Sequence, residues 1–126
     1  MTVRVVVVED NDVFREALVL LLGRQPDVEV VGDVAGGEEA VELCRREAPD
    51  VVLLDYRLPG MDGVQTTAAL KAVAPSAAVV CLTASATLRE EEAFVAAGAV
   101  TVLTKDAPLD EIADAIVKAA PAPAPR

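Results

Sequence analysis

The sequence predicts an α/β fold in which a parallel β-sheet carries helices on both of its faces. Five short runs of mainly β-branched apolar residues recur along the chain and largely lack the polar alternation of a half-exposed strand; they are 3–8, 28–34, 51–54, 78–82 and 100–103. The segments between these runs carry apolar residues at helical spacing. Strands that alternate with helices form a parallel sheet, and right-handed crossovers distribute the helices over both faces.

The first and third helices begin at residues suited to capping. Asn11 or Asp12 follows the first apolar run and can cap a helix there. Asp62 lies after the third run and can cap a helix that opens near Gly63. We therefore expect these side chains to satisfy backbone amides at helix starts.

The other three helices have less uniform signals. Paired glycines at 36–37 separate the second strand from its helix. The fourth helix is expected around 88–97, where the apolar face rests mainly on alanines and Phe94. Asp106 is the predicted cap of the last helix, whose apolar positions repeat through 109–120.

The chain divides into one domain and a short tail. Its 126 residues, 53% of them apolar, suffice for a single hydrophobic core, and we expect that domain to span 1–120. Residues 121–126 alternate proline with alanine and end in arginine. Because proline lacks an amide donor, this segment is predicted to be an extended linker or tail.

Composition excludes several classes of function. The net charge of −10 opposes direct binding to nucleic acid or to an anionic membrane. The absence of histidine excludes imidazole catalysis and histidine-ligated metals within the chain. Cys44 and Cys81 are too far apart in sequence for a zinc motif, and the apolar run 5–8 is too short to cross a bilayer. We therefore expect a cytoplasmic protein with reduced cysteines.

Polar residues follow four of the five predicted strands. Glu9 and Asp10 follow the first strand, Asp55 the third, Thr83 the fourth and Lys105 the fifth. The second strand ends without such a group, as expected for a strand at the edge of the sheet. Because the carboxyl ends of parallel strands meet at one edge, these side chains are predicted to converge.

The predicted cluster has the donor chemistry of a magnesium site. Three carboxylates, Glu9, Asp10 and Asp55, would repel one another unless a cation lay among them. Oxygen donors without histidine or cysteine favour Mg²⁺, with Mn²⁺ as a substitute. The backbone carbonyl of Arg57 is a further candidate ligand.

The same cluster is suited to phosphoryl transfer. An aspartate can act as the nucleophile, and catalysis is then chiefly the neutralisation of oxygen charge. We expect Asp55 to attack, Lys105 to pair with a phosphoryl oxygen and Thr83 to donate its hydroxyl to the product.

Four segments resemble the receiver domains of two-component response regulators. They are Val7-Val8-Glu9-Asp10-Asn11, Val51-Val52-Leu53-Leu54-Asp55-Tyr56-Arg57-Leu58-Pro59-Gly60-Met61-Asp62-Gly63, Leu82-Thr83-Ala84 and Leu103-Thr104-Lys105-Asp106. The resemblance spans nearly the whole chain. It implies a (βα)₅ flavodoxin-like, CheY-like three-layer sandwich with a parallel five-stranded sheet of order 2-1-3-4-5.

The resemblance also implies the roles of individual residues. Asp55 corresponds to the phosphoacceptor, and Thr83, Ala84 and Lys105 correspond to the groups that bind the phosphoryl group and respond to it. The implied phosphodonor is a sensor histidine kinase, or a small molecule such as acetyl phosphate. Receivers commonly carry an aromatic residue at the position of Val102, so the coupled movement of threonine and aromatic side chain is expected to be altered here.

The segment after Asp55 and the Lys105-Asp106 pair are most similar to the NarL/FixJ-type subfamily, which carries a C-terminal helix-turn-helix domain. This implies an output in transcriptional control through a DNA-binding domain absent from this chain, with a homodimer on phosphorylation as one option. The alternative is a stand-alone receiver that acts by protein–protein interaction or in a phosphorelay.

Three other functions compete with this interpretation. A magnesium-dependent phosphatase with an aspartyl nucleophile needs a carboxylate two residues after it, where this chain has Arg57. A flavin-binding domain needs phosphate-cradling loops and flanking aromatics, and only Tyr56 is near. A pseudo-receiver would lack one of the residues needed for phosphorylation, and all of them are present here.

The remaining acidic residues are expected to be solvated, namely Asp12, Glu38, Glu39, Glu42, Glu47 and 90–92.

Overall fold

The computed structural model describes residues 2–84 and 87–121 and has five strands that alternate with five helices. The strands are β1 (Val3–Val8), β2 (Val28–Val34), β3 (Val51–Asp55), β4 (Ala78–Thr83) and β5 (Thr101–Thr104). The helices are α1 (Asp12–Leu22), α2 (Gly37–Glu47), α3 (Gly63–Val73), α4 (Leu88–Ala97) and α5 (Leu109–Ala119). Every predicted element is present in the predicted order, and β5 begins one residue later than expected.

The five strands form one parallel sheet of order β2-β1-β3-β4-β5. This confirms the α/β class and the strand order that the resemblance implied. β2 lies at an edge of the sheet, as its lack of a polar terminus predicted. The carboxyl ends of β1, β3 and β4 are consecutive neighbours, since Val8 pairs with Leu54 and Asp55 pairs with Leu82.

Two hydrophobic cores cover the two faces of the sheet. Alternate strand residues, among them Val5, Val7 and Leu53, pack with α1 and α5 in the first core. The intervening residues, such as Val6 and Leu54, pack with α2, α3 and α4 in the second. The sheet is therefore the middle layer of a three-layer sandwich, and both faces of its central strands are buried.

Two of the predicted caps are confirmed. Asn11 Oδ1 accepts the amide of Phe14 at 2.9 Å at the start of α1. Asp62 Oδ1 accepts the amide of Gln65 at 2.8 Å, and Gln65 Oε1 accepts the amide of Asp62 at 3.0 Å, which completes a capping box at α3.

The prediction that Asp106 caps the last helix is wrong. The residue that precedes α5 is Pro108, and the Asp106 carboxylate instead accepts a hydrogen bond from the hydroxyl of Thr104. Pro108 has a fixed φ of −58° and disfavours helical geometry at Ala107. The helix consequently begins too far along the chain for Asp106 to reach its first amides.

Both cysteines are free and buried, and Cys81 lies within β4 as predicted. Burial raises the pKa of the Cys44 thiol to about 11. Within the described part of the chain, none of the helices has the length and apolar character needed to cross a bilayer. Residues 122–126, most of the predicted tail, lie outside the described residues.

Candidate functional site

The alternation of side chains along the strands directs three charged groups to the same face of the sheet. Glu9 continues the series Val5 and Val7, and Asp55 continues that of Leu53, all of which face α1 and α5. Lys105 follows Leu103, which packs against the same core. Three different strands therefore deliver two carboxylates and an ammonium group to one position beside α1.

Lys105 bridges the two buried carboxylates. Its Nζ lies 2.7 Å from Oε1 of Glu9 and 3.1 Å from Oδ2 of Asp55. The carboxylate side chains are only 2% and 4% exposed, whereas that of Lys105 is 27% exposed. The Lys105 ammonium also lies 5.1 Å from the ring centroid of Phe14. The lysine is thus held between a π face and two anions.

Glu9, Asp10 and Asp55 together form an acidic cluster. Each offers a carboxylate oxygen, and these oxygens lie within 4.8 Å of one another. Asp10 is exposed, while Glu9 and Asp55 are buried. Oε1 of Glu9 is buried and, within the described residues, accepts no well-directed hydrogen bond despite its close ion pair with Lys105. Three hard oxygen donors with unused acceptor capacity fit a magnesium-type cation.

The electrostatics of the cluster favour an additional positive charge. The pKa of Glu9 is raised to about 7, chiefly by burial and also by the neighbouring Asp55, against the opposing effects of the Lys105 ammonium and the Asn11 amide. Burial lowers the Lys105 pKa, but the contacts with Glu9 and Asp55 outweigh burial, so the pKa is raised overall. One ammonium group therefore compensates two buried carboxylates only in part.

Thr83 and Ala84 lie next to this cluster at the end of β4. Thr83 is buried and Ala84 is exposed. The carbonyl of Thr83 accepts the amide of Lys105 at 2.8 Å, and its hydroxyl donates to Oε2 of Glu90 at 3.4 Å. Glu90 was expected to be solvated; the residue is partly exposed, and its carboxylate also accepts this hydrogen bond from the threonine.

Two further predicted positions have different surroundings. The side chain of Arg57, two residues after Asp55, is exposed. Val102 pairs with Cys81 in the sheet and packs, partly buried, against the core that α2, α3 and α4 cover. The position where receivers commonly carry an aromatic residue is therefore filled by a short side chain that belongs to the core.

Sequence reasoning missed two residues of α1 that lie beside the cluster. Phe14 has the spacing of an apolar helix face, and its ring also contacts the Lys105 ammonium group. Arg15 donates to the Glu9 carbonyl at 2.8 Å and was not singled out at all. The signal for both is their spacing from Asn11, the helix cap, which places positions 14 and 15 in the turn nearest to the end of β1.

The arrangement can stabilise negative charge on oxygen atoms around Asp55. A lysine ammonium and a candidate cation site adjoin one buried carboxylate, and the buried Thr83 ends the neighbouring strand β4. Arg57 lies two residues after Asp55, at the position where a phosphatase with an aspartyl nucleophile needs its general acid. This set of groups is suited to a phosphoryl acceptor rather than to a complete hydrolase.

Comparisons with known proteins agree with this geometry. The family profile of the response regulator receiver domain matches residues 5–117. The chain is 40% identical over 122 residues to the transcriptional regulatory protein NarL of Mycobacterium tuberculosis, covering 94% of this chain and 55% of that protein. It is 34% identical over 114 residues to the transcriptional regulatory protein LiaR of Bacillus subtilis, covering 90% and 54%.

Solved structures give the same result. The signal receiver domain of NarL from Mycobacterium tuberculosis superimposes with a TM-score of 0.89 at 38% identity, covering 93% of this chain and 94% of that one. The response regulator domain of Thermotoga maritima CheB has a TM-score of 0.85 at 27% identity, covering 94% of this chain and 96% of that one. The chain spans about half the length of the curated regulators that it matches. It therefore belongs to the receiver domain family of two-component response regulators.

Proposed function

We propose that this domain accepts a phosphoryl group on Asp55 and thereby switches an output. The observation that carries the proposal is the buried Asp55 carboxylate 3.1 Å from the Lys105 ammonium, at the edge where Glu9 and Asp10 supply two more carboxylates. Response regulators are phosphorylated by sensor histidine kinases, and we assign such a kinase as the partner, with acetyl phosphate as an alternative donor.

In the proposed step, a carboxylate oxygen of Asp55 attacks the phosphorus atom of the donor. A P–O bond to Asp55 forms while the bond from phosphorus to the imidazole nitrogen of a phosphohistidine, or to the acetate oxygen of acetyl phosphate, breaks. The electron pair of the broken bond stays with the leaving group, so that imidazole takes up a proton from solvent and acetate leaves as an anion. Lys105 pairs with a phosphoryl oxygen, and Thr83 with Ala84 binds another.

Mg²⁺, with Mn²⁺ as a substitute, is the cation we assign to Glu9, Asp10 and Asp55, with the backbone carbonyl of Arg57 as a further ligand. The close approach of three carboxylate oxygens and the raised pKa of Glu9 support this assignment. When bound, the ion would neutralise charge on the attacking carboxylate and on the phosphoryl oxygens. The chain thereby assists only its own phosphorylation and dephosphorylation.

The contact between Thr83 and Glu90 offers a route for the switch. In the proposed phosphorylated state the Thr83 hydroxyl turns to a phosphoryl oxygen and leaves Glu90, which frees the first turn of α4. Val102 packs into the core, so no aromatic side chain at this position moves together with Thr83. The conformational change on β5 is therefore smaller than in receivers that carry an aromatic residue there. We therefore place the main conformational change at the start of α4.

The output we propose is transcriptional control through a DNA-binding domain in a longer regulator, as in the relatives named as transcriptional regulators. In this proposal 1–120 is the receiver and 121–126 a linker, the protein is cytoplasmic, and phosphorylation promotes a homodimer. The net charge of −10 argues against nucleic-acid binding by the receiver itself. A stand-alone receiver that acts by protein contacts is the alternative.

The test is incubation with acetyl phosphate and Mg²⁺, followed by intact mass measurement. We expect a gain of one phosphoryl group that requires Mg²⁺ and disappears in Asp55→Asn. The matched control is Asp114→Asn, which removes an exposed carboxylate paired with Lys118 on α5 and should keep the gain. No gain with acetyl phosphate or with a competent histidine kinase would refute the proposal.

A further inference from the structure

Arg15 is a residue of α1 with three polar contacts around the end of β1. Its Nη1 donates to the carbonyl of Glu9 at 2.8 Å, its Nη2 to Asp12 at 2.7 Å and its Nε to Asp33 at 3.1 Å. The side chain is only 16% exposed, although both carboxylate partners are much more exposed. The guanidinium group thus joins the β1–α1 turn, the first turn of α1 and β2.

We propose that Arg15 is a positioning residue that holds the Glu9–Asp10 peptide in the orientation needed to bind a divalent cation. This inference rests on the metal site of the proposed function and adds a residue to it. Arg15 does not contact the cation; it acts through the backbone between two ligands.

The peptide that Arg15 contacts carries both acidic ligands. The Glu9 carbonyl belongs to the planar unit that joins Glu9 to Asp10, so its direction sets the departure of the Asp10 side chain. On the other side of Glu9, its amide donates to the carbonyl of Val34 at 3.0 Å. Arg15 restrains the carbonyl of Glu9, which lies past the end of β1 and, within the described residues, accepts no hydrogen bond from the backbone of another strand.

Asp10 depends on this restraint more than Glu9 does. Glu9 is buried and is held by Lys105 and by the amide of Asn11 at 3.1 Å. Asp10 is exposed, and across residues 2–84 and 87–121 its carboxylate has no ion-pair partner. Its place in the cluster is therefore set mainly by the backbone that Arg15 fixes.

Only an arginine side chain can make this set of contacts. A guanidinium group presents several N–H donors in a fixed plane, and here Nε, Nη1 and Nη2 each have a different acceptor. Asp12 and Asp33 hold the plane from two sides and leave Nη1 directed at the Glu9 carbonyl. A lysine at this position would keep the charge but would lose the planar arrangement of donors.

Electrostatics and positioning predict opposite effects of removing Arg15. The positive charge of Arg15 repels a cation at the neighbouring cluster, so its loss alone would tighten Mg²⁺ binding. The loss would also leave Asp12 and Asp33 unneutralised, which acts in the same direction. Loss of positioning instead weakens binding, and the sign of the change therefore distinguishes the two roles.

The experiment measures Mg²⁺ affinity by titration calorimetry on the whole chain. We expect Arg15→Met to bind Mg²⁺ about tenfold more weakly than the wild type, as is typical when a group that orients a metal ligand is removed. Arg15→Lys should also be weaker despite its unchanged charge. Arg46→Met is the control, because it removes an equally charged and 69% exposed side chain from α2.

A second measurement separates positioning from general damage to the fold. The rate of phosphorylation by acetyl phosphate should fall in both Arg15 variants at low Mg²⁺ and approach the wild-type rate when Mg²⁺ is saturating. Unchanged or tighter Mg²⁺ binding in Arg15→Met overturns the inference, and if that variant does not fold, unchanged binding in Arg15→Lys does so. A wild type that fails to bind Mg²⁺ overturns the metal site of the proposed function as well.

Discussion

The ammonium group of Lys105 lies 3.1 Å from Oδ2 of Asp55, and the two residues come from strands that are not neighbours in the sheet. β4 separates them, and the backbone amide of Lys105 is anchored on that strand through the carbonyl of Thr83. The register of the sheet therefore holds the Lys105 ammonium group against the Asp55 carboxylate.

Lys105→Gln should slow phosphorylation by acetyl phosphate by about a hundredfold, because it removes one cation that stabilises charge on the transferred group. Its Mg²⁺ affinity should not fall, since a positive charge beside the cluster has been removed. The time course of the mass gain and calorimetry measure the two effects. Lys118→Gln is the control, with an exposed lysine on α5. A rate for Lys105→Gln within twofold of wild type would contradict the assigned role.

The caps of α3 and α5 should contribute differently to stability. Asp62→Ala should lower the free energy of unfolding by about 1 kcal/mol, because it removes one half of a capping box. Asp106→Ala should change it by less than about 0.5 kcal/mol, because the residue caps no helix and is exposed. Urea unfolding of both variants checks the difference. Equal losses in the two variants would show that the cap assignment is wrong.

Gly63 has no room for a side chain where α3 begins. A Cβ there would lie 2.7 Å from the carbonyl oxygen of Tyr56 and 2.9 Å from that of Asp55, and both are backbone atoms. We expect Gly63→Ala to lower the free energy of unfolding by about 1 to 3 kcal/mol and to slow phosphorylation, since the backbone of Asp55 must shift.

Gly36→Ala is the matched control for that substitution. The nearest atom to its added Cβ is Oε1 of Glu39 at 3.0 Å, at the end of a flexible side chain. Its urea unfolding curve and its phosphorylation rate should both remain close to those of the wild type. A Gly63→Ala variant that behaves like this control would contradict the close packing of α3 on the loop after Asp55.

The two cysteines should be unreactive in the native protein. Cys44 and Cys81 are both buried, and burial raises the pKa of each thiol, that of Cys44 to about 11. Because the thiolate is the reactive form, a disulfide reagent at pH 8 should label neither residue in the native state and both in guanidinium. Rapid labelling of native protein would contradict the packing around these side chains.

Much of the fold was predictable because a strand that is buried on both faces has apolar side chains at successive positions, which appear in the sequence as a continuous apolar run. The five runs predicted the parallel sheet, and the polar residues that follow four of these runs predicted Glu9, Asp55, Thr83 and Lys105 as neighbours. Because side chains alternate between the two faces along a strand, Glu9 shares a face with Val5 and Val7, and Asp55 shares that face with Leu53. These inferences depend only on local sequence and on the geometry of parallel strands.

The features that were missed depend on contacts between distant segments. Arg15 has no motif of its own, and its role emerges only when β2 brings Asp33 to within 3.1 Å of its Nε. Glu90 resembles its acidic neighbours in sequence, and only the direction in which α4 leaves β4 turns it to Thr83. Asp106 was misassigned because a nearby proline moved the start of α5.

Mapping the modified residue shows whether Asp55 carries the phosphoryl group. After treatment with acetyl phosphate and Mg²⁺, borohydride reduces an aspartyl phosphate to the corresponding alcohol, so that peptide sequencing by mass spectrometry reads homoserine at the modified position. We expect homoserine at position 55 and at no other aspartate. Homoserine at Asp10 or at any other position, with Asp55 intact, would contradict it.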